Sequence, residues 1–325
     1  MTKMDYPLLF KPQLKERIWG GNKLKELLHK EAEGDNIGES WEISNVEGSH
    51  SVVLNGPLKG QSLQTLLKTE GEQLLGGKIY RQFGEEFPLL IKFIDARTAL
   101  SVQLHPGDEL ARKRHNSFGK TEMWYIMQAE EGAVLNIGFK NTTNKEEYLQ
   151  YLENGKITDL LNFEQVREGD AVFINTGKVH AIGAGVLLAE IQQTSDITYR
   201  IYDWDRTDAN GVARELHTEL ALDAIDFEKK DDYICDFQKE INTSVNIAQC
   251  PYFTTNIIAV EGRLEKDYGN LDSFVIYMCV KGNASIEVNG NVEEMNVGQT
   301  VLIPALNKKV LISAEHAELL EVYLE

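Results

Sequence analysis

Hydrophobic and polar positions alternate with a period of two along much of this chain, and the most informative stretch is Ser101-Val102-Gln103-Leu104-His105-Pro106. In an extended strand, side chains at i and i+2 point to one face. Ser101, Gln103 and His105 therefore project together, Val102 and Leu104 point the other way, and Pro106 ends the strand. Gly119 to Tyr125 reads as a second strand and carries Glu122. Gly169 to His180 reads as a third strand followed by a tight turn, which delivers a second imidazole. Val186 to Gln193 continues as a long strand with Glu190 and Gln192 on one face. In Asp196 to Trp204, Asp196, Thr198, Arg200 and Tyr202 share a face.

The remaining elements follow from the same reading. Arg17 to Gly21 ends in two adjacent glycines after a tryptophan, which predicts a turn where backbone comes close to something. Asn22 to Lys30 is expected to be a short helix, and Gly38 to Ser44 a strand whose Ser40 and Glu42 face either a cavity or solvent. Val52 to Leu54 is a short strand. Ser62 to Leu75 is a helix, with Ser62 as N-cap and Leu63, Leu66 and Leu67 buried. Phe87 to Ile94 is an apolar strand interrupted by Lys92, which sits at a strand edge or is drawn inward by an anion. Asp108 to His115 is a helical turn, Val134 to Phe139 a strand and Asn144 to Asn154 an acidic helix. Gly155 to Val166 is expected to be a second short helix anchored by Leu160, Leu161 and Phe163, and Leu216 to Ile225 another helix. Lys229 to Asp232 reads as a charged linker. From about Val245 onward short strands recur, at Phe253–Val260, Phe274–Lys281, Ala284–Asn289, Thr300–Pro304, Lys309–Ser313 and Leu319–Leu324, which predicts a small sandwich or barrel. Gly298 and its strand repeat the layout of Gly169 without a following histidine, so two related barrels are expected, with a metal only in the first. His316 reads as a surface residue, His115 as a helix-surface residue, and His217 as a helix residue rather than a ligand.

Composition narrows the function. The 325 residues suit two domains, expected at 1–240 and 241–325. No apolar run approaches the ~20 residues that span a bilayer, and the N-terminus lacks the apolar core of a signal peptide. Cys235, Cys250 and Cys279 are odd in number and read as free thiols of a reducing cytoplasm. A net charge of −18 argues against nucleic acid and anionic membranes as partners. An anionic substrate then needs a local cationic pocket, for which Lys92, Lys120 and Arg200 are candidates. Gln103, His105, Glu122 and His180 form a mixed nitrogen and oxygen donor set suited to a divalent metal. The expectation is that their segments meet inside one β-barrel.

Gly169 to His180 resembles the second cupin motif, with Asn175 where proline is usual, and Gln103 stands where the first cupin motif has its first histidine. Together with Trp19-Gly20-Gly21, Ser101 to Pro106, Gly119 to Glu122, Val179-His180-Ala181 and Glu190 to Arg200, the pattern resembles the type I phosphomannose isomerases, in their shorter bacterial branch. The resemblance implies a mainly β fold of cupin-type double-stranded β-helix (jelly roll) barrels with a few inserted helices and a second, smaller barrel at the C-terminus. It implies a zinc-dependent, cytoplasmic aldose–ketose isomerase acting on mannose 6-phosphate and fructose 6-phosphate, as a monomer or weak homo-oligomer. Gln103, His105, Glu122 and His180 are then the zinc ligands. Lys92, Ser101 and Lys120 match positions tied to phosphate binding or catalysis, and Arg200 the active-site arginine. Glu190 and Asp196 match acidic residues tied to proton transfer. Glu190 is the preferred base, or else the structural partner of Lys178 or Arg200. Asp196 assists ring opening or pairs with Arg200. Rival readings are another metal-dependent cupin enzyme, such as a dioxygenase or epimerase, and a non-enzymatic sugar-phosphate binder.

Overall fold

A computed structural model describes residues 4–207, 210–231 and 233–325. In chain order the elements are strands β1 (Leu8–Leu9) and β2 (Gln13–Gly21), helix α1 (Lys23–Glu26), β3 (Ile37–Ile43), helices α2 (Leu63–Leu75) and α3 (Gly77–Phe83), β4 (Leu89–Ala96), β5 (Val102–Leu104), α4 (Asp108–His115), β6 (Glu122–Ala129), β7 (Val134–Phe139), α5 (Lys145–Glu153), β8 (Leu161–Gln165), β9 (Ala171–Ile174), β10 (His180–Ile182), β11 (Val186–Gln193), β12 (Tyr199–Tyr202) and α6 (Thr218–Leu222). The C-terminal strands are β13 (Ser244–Gln249), β14 (Thr254–Asp267), β15 (Val275–Val288), β16 (Asn291–Asn296), β17 (Thr300–Ile303) and β18 (Lys309–Tyr323). Among the described residues no helix is long and apolar enough to cross a membrane.

Three sheets organise the molecule: β2-β3-β4-β11-β6-β9, β12-β5-β10-β7-β8, and β1-β17-β15-β18-β14-β13 with β16 on β15. The first is covered on both faces, which is why β4 and β11 are buried along their whole length. On one face Leu89, Ile91, Phe93, Leu187, Ala189 and Ile191 join a core with α2 and with Ile257, Ile276 and Leu320 of the C-terminal sheet. On the other face Ile94, Ala96, Val186 and Leu188 meet Leu135, Ile137 and Ile182 of the five-stranded sheet. The functional side chains occupy the open end of this second interface. The fold is mainly β, as expected, with facing sheets rather than closed barrels, an arrangement consistent with the cupin resemblance.

Ser62 does cap α2, accepting from the Thr65 amide, and Leu63, Leu66 and Leu67 are buried. Other expectations need correction. Residues 155–166 form one 3₁₀ turn and then β8, with Phe163 exposed, because β8 completes the edge of the five-stranded sheet on β7. The predicted helix at Asn22 is a single turn. Trp19-Gly20-Gly21 ends a strand rather than forming a turn. The close approach is real, since a Cβ on Gly20 would lie 2.5 Å from the Asn36 carbonyl oxygen and from the Gly38 nitrogen. The short C-terminal segments fuse in pairs: Phe274–Lys281 with Ala284–Asn289 in β15, and Lys309–Ser313 with Leu319–Leu324 in β18. Irregular register between Cys279 and Ser285 bends β15 without interrupting it. Of the charged run 229–232, Asp232 lies outside the described residues.

Candidate metal centre and sugar pocket

The strand register builds the site. Within the six-stranded sheet, Glu190 on β11 stands between Lys92 on β4 and Trp124 on β6, and Gln192 faces Glu122 one pair further on. Within the five-stranded sheet, Gln103 on β5 lies between His180 on β10 and Arg200 on β12. Directly paired residues share a face, so both rows point into the gap between the sheets. Gly177 sits at φ +80° in the turn before His180, where a Cβ would lie 2.5 Å from the Ala224 carbonyl oxygen. Its amide donates to the His105 carbonyl at 2.8 Å, which fastens the two histidine segments together.

His105, Glu122 and His180 converge. The two Nε2 atoms lie 3.6 and 3.4 Å from the Glu122 carboxylate. His105 Nδ1 meets the Ile197 carbonyl and His180 Nδ1 the Lys178 carbonyl, both at 2.8 Å. Each ring therefore donates through Nδ1 and turns its Nε2 lone pair inward. Burial, reinforced by the Lys120 charge, holds both imidazoles below their ordinary pKa, His180 at about 3. Burial also raises the Glu122 carboxyl, against the opposing pull of Lys120. His180 Nε2 and Glu122 Oε1 are buried with no hydrogen-bond partner. Two neutral imidazoles and a desolvated carboxylate with unmatched acceptors are a donor set that fits a divalent cation, and the Gln103 amide faces the same space.

Around this centre is a cavity of about 470 Å³. Lys120 links its parts: its Nζ donates to Glu122, lies 3.2 Å from His105 Nε2 and 3.9 Å from Glu190. Glu190 receives Trp124 Nε1 at 3.0 Å and pairs with Lys92 at 2.9 Å. Burial opposes its ionisation, but Lys120 and Lys92 outweigh that and hold the carboxyl low, at about 2. Lys92 is thus drawn inward by a carboxylate. Lys178, the other partner considered for Glu190, pairs with Asp226 instead. Ser101 lines the wall and donates to Gln103 at 3.3 Å. Arg200 is half-buried at the mouth, fixed by a bond from Nη1 to the Glu215 carbonyl at 2.8 Å, with Nε unmatched. Asp196 is exposed at the same mouth and makes no ion pair with Arg200 among the described residues.

Several lining residues escaped the sequence reading as site residues. Arg17, Glu39 and Trp41 form one wall, joined by 2.8 Å bonds from Arg17 and from the Trp41 indole to Glu39. Their signal was the parity of β3, where Glu39 and Trp41 face the site. Ser40 and Glu42 face the opposite side, where Glu42 is buried and bonded to Lys30 at 2.7 Å. Arg214 comes from a loop with no periodic signal. Five cationic side chains line the cavity against three carboxylates, so the pocket reverses the sign of the chain's overall charge.

Comparison with known proteins agrees with this geometry. Residues 8–138 match the family model for the phosphomannose isomerase type I catalytic domain, and residues 243–324 that for the mannose-6-phosphate isomerase cupin domain. Two Bacillus subtilis proteins, the probable mannose-6-phosphate isomerase GmuF and the mannose-6-phosphate isomerase ManA, are each 35% identical to this chain. The alignments cover 93% and 92% of this chain and 94% and 93% of theirs. The crystal structure of the mannose 6-phosphate isomerase from Bacillus subtilis superposes with a TM-score of 0.88 at 30% identity, covering 98% of this chain and 99% of that one. By site and by sequence, this chain belongs to the type I phosphomannose isomerase family.

Proposed function

We propose that this chain interconverts mannose 6-phosphate and fructose 6-phosphate with zinc held by Gln103, His105, Glu122 and His180. The observation that carries the reading is the position of Lys120, in contact with two of the metal-type donors and within 4 Å of the ionised Glu190. Bound there, the cation supplies Lewis-acid polarisation and orientation of sugar oxygens.

The protein's own residues carry the proton chemistry. Glu190 is the base: it removes the proton from C2 of the aldose and delivers it to C1 of the enediol(ate) to give the ketose, while the hydroxyl proton passes from O2 to O1, and the reverse reaction runs the same way. Trp124 and Lys92 hold its carboxylate ionised and fixed. Lys120 donates toward the sugar oxygen on which negative charge develops, and Arg200 stabilises that charge from the mouth, since a guanidinium stays protonated. Asp196, exposed at the entrance, assists ring opening. The phosphate is held by the cationic wall, Lys92 and Ser101 inside and Arg200 with Arg214 at the mouth. The division into a catalytic region at 1–240 and a C-terminal one at 241–325, and work in the cytoplasm, belong to the same reading.

The test couples fructose 6-phosphate formation from mannose 6-phosphate to a dye, with and without chelator. Turnover that chelation abolishes and zinc restores is expected. Absence of turnover by zinc-loaded protein, or oxygen uptake in its place, overturns the reading.

A further inference from the structure

The C-terminal sheet repeats the strand order of the first one. The series β3-β4-β11-β6-β9 is matched by β13-β14-β18-β15-β17. Register carries the match to single residues. Glu190 stands between Lys92 and Trp124, and Glu321 on β18 stands between Asn256 on β14 and Tyr277 on β15. Two residues before Trp124 is the metal-type ligand Glu122, whereas two residues before Tyr277 is Val275. The repeat has lost a metal donor and kept the inward carboxylate.

That carboxylate is 1% exposed. It accepts from Ser244 Oγ at 2.7 Å, Asn256 Nδ2 at 2.8 Å and Tyr268 OH, and pairs with Lys266 at 2.9 Å. Lys266, Tyr268 and the donors on Glu321 override its burial and keep it ionised. A core whose only task is packing has little use for a desolvated charge. Here the network opens onto a groove of about 740 Å³ walled by Tyr268 and Tyr323. Four carboxylates and two lysines line it, a balance that disfavours an anion. Polar side chains beside aromatic walls suit a ligand with many hydroxyls and an apolar face.

We propose that this groove is a second binding site, metal-free and separate from the isomerase pocket, for a neutral hexose or polyol. It does not depend on the isomerase reading, because it is defined by binding and not by turnover.

The test titrates the intact protein with D-mannose, which lacks a phosphate, using ligand-observed NMR saturation transfer and calorimetry. Saturable binding is expected in the wild type and in Arg200→Ala. A loss of about tenfold in affinity is expected in Lys266→Met, and a weaker one in Tyr323→Phe, which removes a single hydroxyl. If Lys266→Met fails to fold, as circular dichroism would reveal, Tyr323→Phe carries the test. No saturable binding by the wild type, or binding lost in Arg200→Ala and kept in the two groove variants, overturns the proposal.

Discussion

Glu122 and Glu190 show how two carboxylates 68 positions apart in the chain take different roles through their neighbours alone. Glu190 has two lysines and an indole to hold it ionised. Glu122 faces two imidazoles kept neutral by burial and has one oxygen with no partner. Glu122→Ala is therefore expected to empty the metal centre, which elemental analysis of the purified protein will check. A variant carrying one metal per chain removes Glu122 from the ligand set. Arg200 makes its contacts at the mouth and touches none of the three converging donors. Arg200→Ala is expected to keep its metal and lose at least ~100-fold in turnover, and near-normal turnover at full metal occupancy would refute the charge-stabilising role. Residue identity and strand parity brought Gln103, His105, Glu122, His180, Glu190 and Arg200 to notice in the bare sequence. Arg214 and the Arg17–Glu39–Trp41 wall were not legible there, because a loop has no period and because one parity choice on β3 sends the wrong pair to the site.

Elements depend on close approach as much as on propensity. Strand β2 passes so near residues 36–38 that Gly20 has no room for a methyl group. Gly20→Ala is expected to destabilise the protein by about 1–3 kcal/mol, measurable as a lower denaturant midpoint, and an unchanged midpoint would show that the neighbours yield freely. The end of β12 is held differently. Asp203 is buried and accepts from Arg206 and from Arg214, at 2.7 Å from Nε in the latter case. Burial pushes its carboxyl up, but the two arginines prevail and hold it below the usual range. A lowered folded pKa means stability that is present above the unfolded value, near ~4, and is lost as pH falls through the folded value. Asp203→Asn should be less stable than wild type at neutral pH, with the gap closing below about pH 4 in chemical unfolding. A gap independent of pH would remove the charge from the account. At this scale β11, α4, β7 and the capped α2 were legible from pattern, whereas β8 looked like a helix because its Leu and Phe spacing fits both periods and only pairing with β7 decides.

For the molecule as a whole, the site is the place where two sheets are tied across a gap: His105 and His180 come from one side, Glu122 and Glu190 from the other. A bound metal would stabilise the folded form by mass action, about 3 kcal/mol at a hundredfold excess over Kd. Stripping the metal should lower Tm, and calorimetry with zinc returned should restore it. Identical melting curves would mean that the donors hold no ion in the folded protein. The same scale explains how a chain of net charge −18 can receive a phosphate, since the fold gathers cations from β2, β4, β12 and two loops around one cavity.

The amino-acid sequence alone determined the strands that carry the chemistry, the faces on which their donors lie and the repetition of a cupin-like pattern, because alternation and turn residues act over a few positions. Tertiary structure decided which lysine neutralises Glu190, which wall of β3 meets the sugar pocket and that Glu321 occupies the place of Glu190 in the second sheet. Those are matters of register between strands far apart in the chain, and register is set by how whole sheets pack, which no local pattern encodes.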